Sequence, residues 1–184
     1  MLILASRSPR RSDLLRAEGF DFAVRAMEID ESVQGEESPR DYVRRLAEMK
    51  ALAVSMHAGE VIVAADTTVA LGNEIFGKPR DEEDARWMLE RLSGRRHEVY
   101  TGVCVRSERM IHTEVECTGV WFDPLDKAVI DGYVRSGEPL DKAGAYAIQG
   151  LAEKFIPRIE GSYSNVVGLP IDLVRRMLKE HVNE

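Results

Sequence analysis

Short apolar runs alternate with amphipathic segments along the chain. Residues 2–5 and 61–65 are unbroken apolar runs, and the second is typical of a strand buried on both faces of a sheet. Helices are predicted after Ser8-Pro9 and Ser38-Pro39, because serine suits the N-cap and proline suits the first helical position. The alternation of strands and helices predicts an α/β fold.

The remaining elements follow from turn residues and periodicity. Further strands are predicted at residues 20–24, 68–71, 74–76, 99–106, 110–122 and 155–159, and further helices at residues 81–92, 123–135 and from 170 onward. Gly72-Asn73 indicates a hairpin turn, and residues 136–150 and 161–168 read as loops. In the predicted helix 81–92, Trp87 is expected to face inward. Hairpins beside a buried apolar strand favour a central, twisted mixed sheet flanked by helices.

Composition narrows the class of protein. The chain has 184 residues, which predicts one domain over residues 1–184. Hydrophobic residues make up 44% and charged residues 31%, an ordinary globular balance that excludes general disorder. The net charge of −7 argues against nucleic acid as a partner, because binding to the phosphate backbone needs an excess of Lys and Arg. An anionic ligand must therefore meet a local basic cluster.

The sequence predicts a cytoplasmic protein without a membrane partner. Cys104 and Cys117 are the two cysteines, and two reduced thiols are expected rather than a disulfide. No apolar stretch approaches the roughly 18 residues of a membrane span. The apolar run at the N-terminus is too short for a signal peptide, and no basic segment precedes it.

A Ser/Arg cluster lies between the first predicted strand and helix. It contains the hydroxyls of Ser6 and Ser8 and the guanidinium groups of Arg7, Arg10 and Arg11. Free backbone N–H groups at a helix N-terminus attract anions, and arginine suits bidentate contacts to phosphate. The segment therefore predicts a phosphate-binding site. The alternative is a helix cap followed by solvated arginines.

Asp66 is the main candidate for chemistry, because it is predicted at the end of a buried apolar strand. Ligands of open α/β sheets bind at the carboxyl ends of strands, where the carboxylate could hold Mg²⁺ or act as a general base on water. The alternative is an aspartate that caps a turn. Glu28, Asp30 and Glu31 follow the second predicted strand, and one of them with Asp66 would suffice for Mg²⁺. The alternative is a solvated acidic loop without a ligand.

Three further polar residues are candidates for ligand contacts. Lys50 lies at the edge of an apolar helix face, where it either extends to solvent or directs its charge toward a ligand. Lys78, in Gly77-Lys78-Pro79, is a candidate phosphate contact or a simple turn lysine. Gln149, in a glycine-containing loop, offers the donor and acceptor needed to recognise a nucleobase edge, and the alternative is an ordered surface loop.

Seven short segments in this order resemble the Maf family of nucleoside triphosphate pyrophosphatases over nearly the whole chain. They are Leu4-Ala5-Ser6-Arg7-Ser8-Pro9-Arg10-Arg11, Ala65-Asp66-Thr67, Gly77-Lys78-Pro79, Leu92-Ser93-Gly94, Thr101-Gly102-Val103, Pro139-Leu140-Asp141-Lys142-Ala143-Gly144-Ala145-Tyr146 and Val167-Gly168-Leu169-Pro170. The resemblance implies an elongated α/β fold with a central twisted mixed sheet and two lobes around a cleft, similar to that of inosine triphosphate pyrophosphatases.

The resemblance also implies a reaction and a set of site residues. Family members cleave a nucleoside triphosphate to the monophosphate and pyrophosphate with a divalent metal cation, Mg²⁺ or Mn²⁺. The family's catalytic aspartate falls on Asp66, its carboxylate partner on Glu31, and its two lysines on Lys50 and Lys78. The metal ligands would be Asp66 and Glu31. The remaining residues assigned to the substrate are Ser6, Ser8, Arg10, Arg11, Thr67 and Gln149.

The sequence resembles the branch of the family that acts on dTTP and UTP at three positions, Arg11, Thr67 and Gln149. It departs from that branch at Ala147, where glycine is usual. The expected role is removal of these or modified pyrimidine nucleotides from cellular pools. The alternatives are a purine-directed enzyme acting on ITP, XTP or 7-methyl-GTP, and a nucleotide-binding regulator of cell division without turnover. The family also implies a possible homodimer.

Overall fold

The structure, a computed structural model, describes residues 1–182, and these divide into two compact units. The first unit contains Met1–Thr67, Thr101–Glu116 and the chain from Gly168 onward, and the second contains Thr68–Tyr100 and Cys117–Val167. The predicted single domain extends to residue 184, and its last two residues lie outside the described residues. Within the described part, none of the helices combines the length and apolar character that a membrane crossing requires.

A mixed sheet of seven strands runs through the described chain, which confirms the predicted fold class. The strands are β1 (Leu2–Leu4), β2 (Phe22–Val24), β3 (Val61–Leu71), β4 (Glu74–Phe76), β5 (Arg96–Arg106), β6 (Ile111–Trp121) and β7 (Arg158–Glu160). Their order is β2-β1-β3-β5-β6-β7, with β4 paired to β3. Strand β1 is parallel to both β2 and β3, whereas β4 is antiparallel to β3 and β7 to β6.

Helices flank this sheet at the positions that the Ser-Pro pairs and other caps indicate. They are α1 (Pro9–Ala17), α2 (Pro39–Ala53), α3 (Glu82–Leu92), α4 (Lys127–Arg135), α5 (Tyr163–Val167) and α6 (Ile171–Val182). Ser38 caps α2 by accepting a hydrogen bond from the backbone N–H of Asp41 at 3.2 Å. Ser8 occupies the N-cap position of α1, but its side chain makes no capping hydrogen bond.

The core of the first unit lies on both faces of β3, as the unbroken apolar run predicts. Val63 belongs to a buried cluster that includes Met177 of α6. Its neighbour Ile62 belongs to another buried cluster with Ala47 of α2. Successive strand residues point to opposite faces, so helices cover the two sides of the same strand.

The second unit has its own core, built from α3, α4 and the adjoining strands. Phe122 makes edge contacts with the rings of both His97 and Tyr146. The expectation that Trp87 faces inward is wrong, because this side chain is 45% exposed and stacks on Phe76 from outside. Its neighbour Met88 is buried, as are Ala85, Leu89 and Leu92 of the same helix.

Several predicted boundaries differ from the structure. Strand β3 continues to Leu71, so Asp66 lies within the strand rather than at its end. Helix α4 begins at Lys127 and not at residue 123, because the carboxylate of Asp126 caps it by accepting the N–H of Val129 at 2.8 Å. The strand predicted at residues 155–159 begins only at Arg158, because Phe155 belongs to a short 3₁₀ turn over residues 151–155.

The two predicted loops also contain ordered turns. Short 3₁₀ turns occupy Glu138–Asp141 and Ala143–Ala145 within residues 136–150, and α5 lies within residues 161–168. Gly144 has a φ of +66°, and a Cβ built there would lie 2.8 Å from the side chain of Val69. Glycine is therefore needed at this position both for its backbone conformation and for the close approach to β3.

Candidate active site

Asp66 and Lys50 form the centre of the candidate site in the first unit. Asp66 is 7% exposed on β3, and its Oδ1 accepts a hydrogen bond from Lys50 Nζ at 2.5 Å. Lys50 lies in the last turn of α2. The same Nζ lies 2.6 Å from Oε1 of Glu31. The two carboxylates therefore converge on one point, which the lysine ammonium occupies.

The loop that carries Glu31 is held against α2. Tyr42 donates its hydroxyl to the carbonyl oxygen of Glu31 at 2.9 Å, and Arg45 donates to the carbonyl oxygen of Ser32 at 3.0 Å. Burial raises the pKa of Tyr42 to about 12, and the negative charges of Asp66 and Glu31 add to this effect. The phenol therefore stays protonated and remains a donor at neutral pH. The helical spacing indicates only that Tyr42 faces inward, so this contact was missed.

Arg11 joins three separate segments of the first unit. Its Nε donates to the carbonyl oxygen of Gly168 at 2.8 Å, one terminal nitrogen donates to Ser6 Oγ at 3.0 Å, and the other donates to Thr67 Oγ1 at 3.1 Å. Burial lowers the pKa of Arg11, while the nearby Asp66 carboxylate opposes this effect. Three of its five N–H groups are thus engaged within the protein.

Thr67 links Arg11 to two further groups. Its Oγ1 lies 2.9 Å from Thr101 Oγ1 and 3.2 Å from the carbonyl oxygen of Gly168. Gly168 has a φ of +129°, a conformation that favours glycine. Thr101 and Gly168 were not predicted as site residues, although each stands in one of the segments that carry the family resemblance. The family resemblance of these two segments could have identified both residues.

The start of α1 leaves several donors available. Ser6 Oγ accepts the backbone N–H of Ser8 at 3.2 Å, while the side chain of Ser8 makes no capping bond. Arg10 is half-buried and has no hydrogen-bond or ion-pair partner within residues 1–182. Because Pro9 has no N–H, the first backbone donors of α1 are those of residues 10 and 11. These groups suit a phosphate.

The two remaining predicted residues, Lys78 and Gln149, belong to the second unit. Lys78 is exposed just after β4, and Gln149 is exposed in the loop that follows Tyr146. The N–H of Gly144 donates to the carbonyl oxygen of Gly77 at 3.0 Å, which ties the loop before Tyr146 to the segment of Lys78. The other predicted residues all lie in the first unit: Ser6, Ser8, Arg10, Arg11, Glu31, Lys50, Asp66 and Thr67.

The carboxylate oxygens of Asp66 and Glu31 are suitable ligands for a divalent cation. Two carboxylate oxygens lie within 2.6 Å of one point, where a positive charge is already stabilised. Mg²⁺ prefers oxygen ligands and is commonly held by one or two carboxylates together with substrate phosphates. The pair therefore matches the ligand types of Mg²⁺ or Mn²⁺, with Lys50 competing for the same position.

A second group of potential ligands lies elsewhere in the first unit. His112, Glu114 and Glu180 place one ligand atom each within 4.8 Å of one another. Arg176 already pairs with both oxygens of Glu114, at 2.7 and 2.9 Å. This group is therefore a charge-compensated ion network between β6 and α6.

Together, the fold and the first-unit cluster define a class of α/β proteins. Their mixed sheet carries a buried aspartate paired with lysine, in the same unit as a helix start that suits phosphate. Within this class, the chain belongs to the family of Maf-like proteins, which it matches over residues 1–181.

Curated relatives are similar over almost the whole chain. The chain is 54% identical over 182 residues to the dTTP/UTP pyrophosphatase of Anaeromyxobacter dehalogenans (strain 2CP-C), covering 97% of this chain and 92% of that protein. It is 49% identical over 177 residues to the dTTP/UTP pyrophosphatase of Acinetobacter baylyi, covering 96% and 97%.

One solved structure shares the fold at low sequence similarity. The Staphylococcus aureus Ham1 protein matches with a TM-score of 0.52 and 16% identity, covering 98% of both chains. At this identity the match bears on the fold alone, and it agrees with the mixed sheet and flanking helices described above.

Proposed function

We propose that this chain is a nucleoside triphosphate pyrophosphatase that hydrolyses dTTP and UTP to the monophosphate and pyrophosphate. The observation that carries the proposal is the convergence of Asp66, Glu31 and Lys50 in the same unit as the Ser/Arg cluster. Relatives about 50% identical are named for this activity, which supports the choice of substrate. The biological role would be removal of unwanted nucleotides, including modified pyrimidines.

The proposed phosphate contacts come from groups that the protein leaves available. The hydroxyl of Ser8, the guanidinium of Arg10 and the first N–H groups of α1 would donate to phosphate oxygens. Lys50 would offset negative charge beside Asp66, and the family resemblance assigns Lys78 to the phosphates as well. Their contribution is electrostatic, because charge redistributes over the phosphates as pyrophosphate leaves.

Asp66 is the proposed general base. Its Oδ1 pairs with Lys50, so Oδ2 is the oxygen that would accept a proton from the attacking water. The water oxygen forms a bond to the α-phosphorus while the bond to the α,β-bridging oxygen breaks, and pyrophosphate departs. Asp66 and Glu31 would hold Mg²⁺ or Mn²⁺, which supplies Lewis-acid neutralisation of the phosphate charge.

Gln149 is the residue proposed to recognise the base. Arg11 and Thr67, in the first unit, are proposed to contribute to substrate selectivity. A glutamine amide offers both a donor and an acceptor, which match the imide edge of uracil or thymine. Arg11 has most of its donors engaged with Ser6, Thr67 and Gly168. We therefore propose that it acts on selectivity by fixing the position of Thr67.

The testing experiment measures pyrophosphate release from a panel of nucleoside triphosphates with Mg²⁺ or Mn²⁺. Asp66→Asn should retain the fold, because asparagine has the same shape, and should lose at least a hundredfold in turnover, the effect of removing a general base. Asp21→Asn, which neutralises an exposed aspartate of the same unit, is the matched control and should retain wild-type turnover.

Each outcome distinguishes the candidate functions. Dominant turnover of dTTP and UTP, lost in Asp66→Asn, supports the proposal. Dominant turnover of purine nucleotides would retain the enzyme class but overturn the assigned base preference. Tight dTTP binding without pyrophosphate release, with the cation present, would favour the regulator without turnover. Near-normal turnover in Asp66→Asn would remove Asp66 from the chemistry.

The assembly and compartment are also part of the proposal. The family resemblance implies a possible homodimer with a nucleoside triphosphate as substrate. The net charge of −7 argues against nucleic acid as a partner, two reduced cysteines favour the cytoplasm, and no membrane partner is expected. Sedimentation of the purified chain at micromolar concentration tests the dimer, since a single species at 20.7 kDa would contradict it.

A further inference from the structure

Gln149 lies in a tight turn of the second unit. The turn spans residues 147–150 and is closed by a hydrogen bond from the N–H of Gly150 to the carbonyl oxygen of Ala147 at 3.1 Å. Ile148 anchors it, being 5% exposed, whereas the next side chain, Gln149, is exposed. Ala147 has a negative φ, so alanine adopts this backbone without strain.

Two side chains hold the backbone on both sides of this turn. The carboxylate of Glu138 accepts the N–H of Leu151, with both oxygens at 3.1 Å. Tyr133 donates its hydroxyl to Glu138 Oε1 at 2.8 Å and accepts the N–H of Ala147 at 3.3 Å. The residue before Ile148 and the residue after Gly150 are therefore fixed by one hydrogen-bonded pair.

The phenol of Tyr133 stays protonated within this pair. Tyr133 is 4% exposed on α4, and burial together with the charge of Glu138 raises the pKa of its phenol. The phenol is therefore a donor throughout the physiological pH range. A Cβ built on Gly150 would lie 2.2 Å from Glu138 Oε1, so the carboxylate fills the space that the absent side chain leaves.

We propose that Tyr133 and Glu138 are positioning residues that set the base selectivity of the enzyme by fixing the turn that presents Gln149. The inference rests on the proposed function, because it assumes that Gln149 contacts the base. Neither residue needs to touch the substrate. Both act through the backbone of residues 147–151, where a small displacement moves the glutamine amide out of register with its hydrogen-bond partner.

Three variants disturb the pair in different ways. Tyr133→Phe removes the hydroxyl that joins Glu138 to Ala147, and Glu138→Ala removes the carboxylate. Gly150→Ala leaves both side chains intact but forces the Glu138 carboxylate aside, without a positive φ at that position. Gly132→Ala, on α4, is the matched control, because its Cβ would meet nothing closer than 4.0 Å.

The first measurement is kcat and KM for UTP and for GTP. Each of the three variants should lower the UTP:GTP ratio of kcat/KM by roughly three- to tenfold, as expected when one hydrogen bond to the base is misplaced. The loss should appear mainly as a higher KM for UTP, because the groups assigned to the chemistry are unchanged. Glu138→Gln should retain part of the selectivity, since one acceptor oxygen remains. Equal losses for both nucleotides would overturn the proposal in favour of a merely structural role.

The same variants are then measured in a Gln149→Ala background. If Tyr133 and Glu138 act through Gln149, the UTP:GTP ratio should change less than about twofold there, because interacting residues are non-additive. A full additional loss of selectivity in that background would show that the pair acts elsewhere and would overturn the inference.

Amide hydrogen exchange of residues 147–151 separates this inference from the proposed function. Tyr133→Phe, Glu138→Ala and Gly150→Ala should each speed exchange there by at least tenfold, while Gly132→Ala should not. If the wild type shows no preference for UTP, the proposed function fails, and faster exchange still supports the positioning pair. Unchanged exchange in all three variants would overturn the pair, whatever the substrate preference.

Discussion

Arg11 makes hydrogen bonds to a serine hydroxyl, a threonine hydroxyl and a backbone carbonyl, each through a different nitrogen. A planar guanidinium reaches three such acceptors at once, whereas a lysine ammonium is a point donor on a flexible stem. The adjacent Arg10 is in the same turn of α1 but has no such partner within the described residues. Two neighbouring arginines therefore have different roles.

This difference predicts unequal stability effects. Arg11→Lys should lower the free energy of unfolding by about 2 kcal/mol, because the charge is kept but partly buried acceptors lose their donors. Arg10→Lys should stay within about 0.5 kcal/mol of the wild type. Urea denaturation of the two variants checks the prediction, and equal midpoints would contradict it.

His97 is a second residue whose surroundings determine a property, here its protonation state. It is fully buried, and its Nε2 lies 2.8 Å from the hydroxyl of Tyr146. Burial lowers the pKa of His97 from 6.5 to about 4, because the charged imidazolium would lose its hydration. The folded state therefore keeps His97 neutral at pH values where the unfolded chain already protonates it.

The sign of this shift gives a pH prediction. As the pH falls from 6.5 toward 4, the unfolded state binds a proton that the folded state does not, so stability decreases by about 1.4 kcal/mol per pH unit. Between pH 7 and pH 4 the wild type should lose about 3 kcal/mol more than His97→Gln, which cannot titrate there. Urea titrations of both proteins at several pH values measure this difference. Parallel pH profiles would show that His97 is not the group responsible.

Among the elements, those with a local signal could be predicted from the sequence. The Ser-Pro pairs place the starts of α1 and α2, and Gly72-Asn73 places the turn between β3 and β4, where Leu71 pairs with Glu74. The sequence predicts strands at residues 61–65 and 68–71, but nothing local indicates that they form one strand, because the polar residues between them interrupt the apolar pattern. Helix α4 starts later than predicted because Asp126 caps it, whereas the sequence also offers Asp123 as a cap.

The close approach of Gly144 to Val69 of β3 can be tested by substitution. Gly144→Ala should cost about 2–4 kcal/mol, because the left-handed backbone disfavours alanine and the new methyl group overlaps Val69. Gly137 also has a positive φ, +77°, but nothing lies within 4 Å of its Cβ position. Gly137→Ala should therefore cost only about 1–2 kcal/mol. Equal losses in thermal unfolding would show that the contact with Val69 is unimportant.

At the scale of the whole molecule, the sequence predicts which residues are candidates but not how they pair. Arg11 and Gly168 are 157 positions apart, and Lys50 and Asp66 are 16 apart. Such pairs depend on how α2 and the segment before α6 pack on β3, which local patterns do not encode. The apolar run before Asp66 singled out this residue, the family resemblance assigned Glu31 as its proposed partner, and the structure adds that Lys50 pairs with both carboxylates.

The response of the whole protein to ligand tests the proposed cation together with the nucleotide. A UTP analogue with a non-hydrolysable α,β bridge should bind the folded state without turnover. At about 100 times its Kd, with Mg²⁺ present, it should raise the free energy of unfolding by about 2.7 kcal/mol and the Tm by roughly 5–10 °C. Removal of the cation with EDTA should abolish most of this rise, because Asp66 and Glu31 would then repel the phosphates. An equal rise in EDTA would show that nucleotide binding does not require the cation.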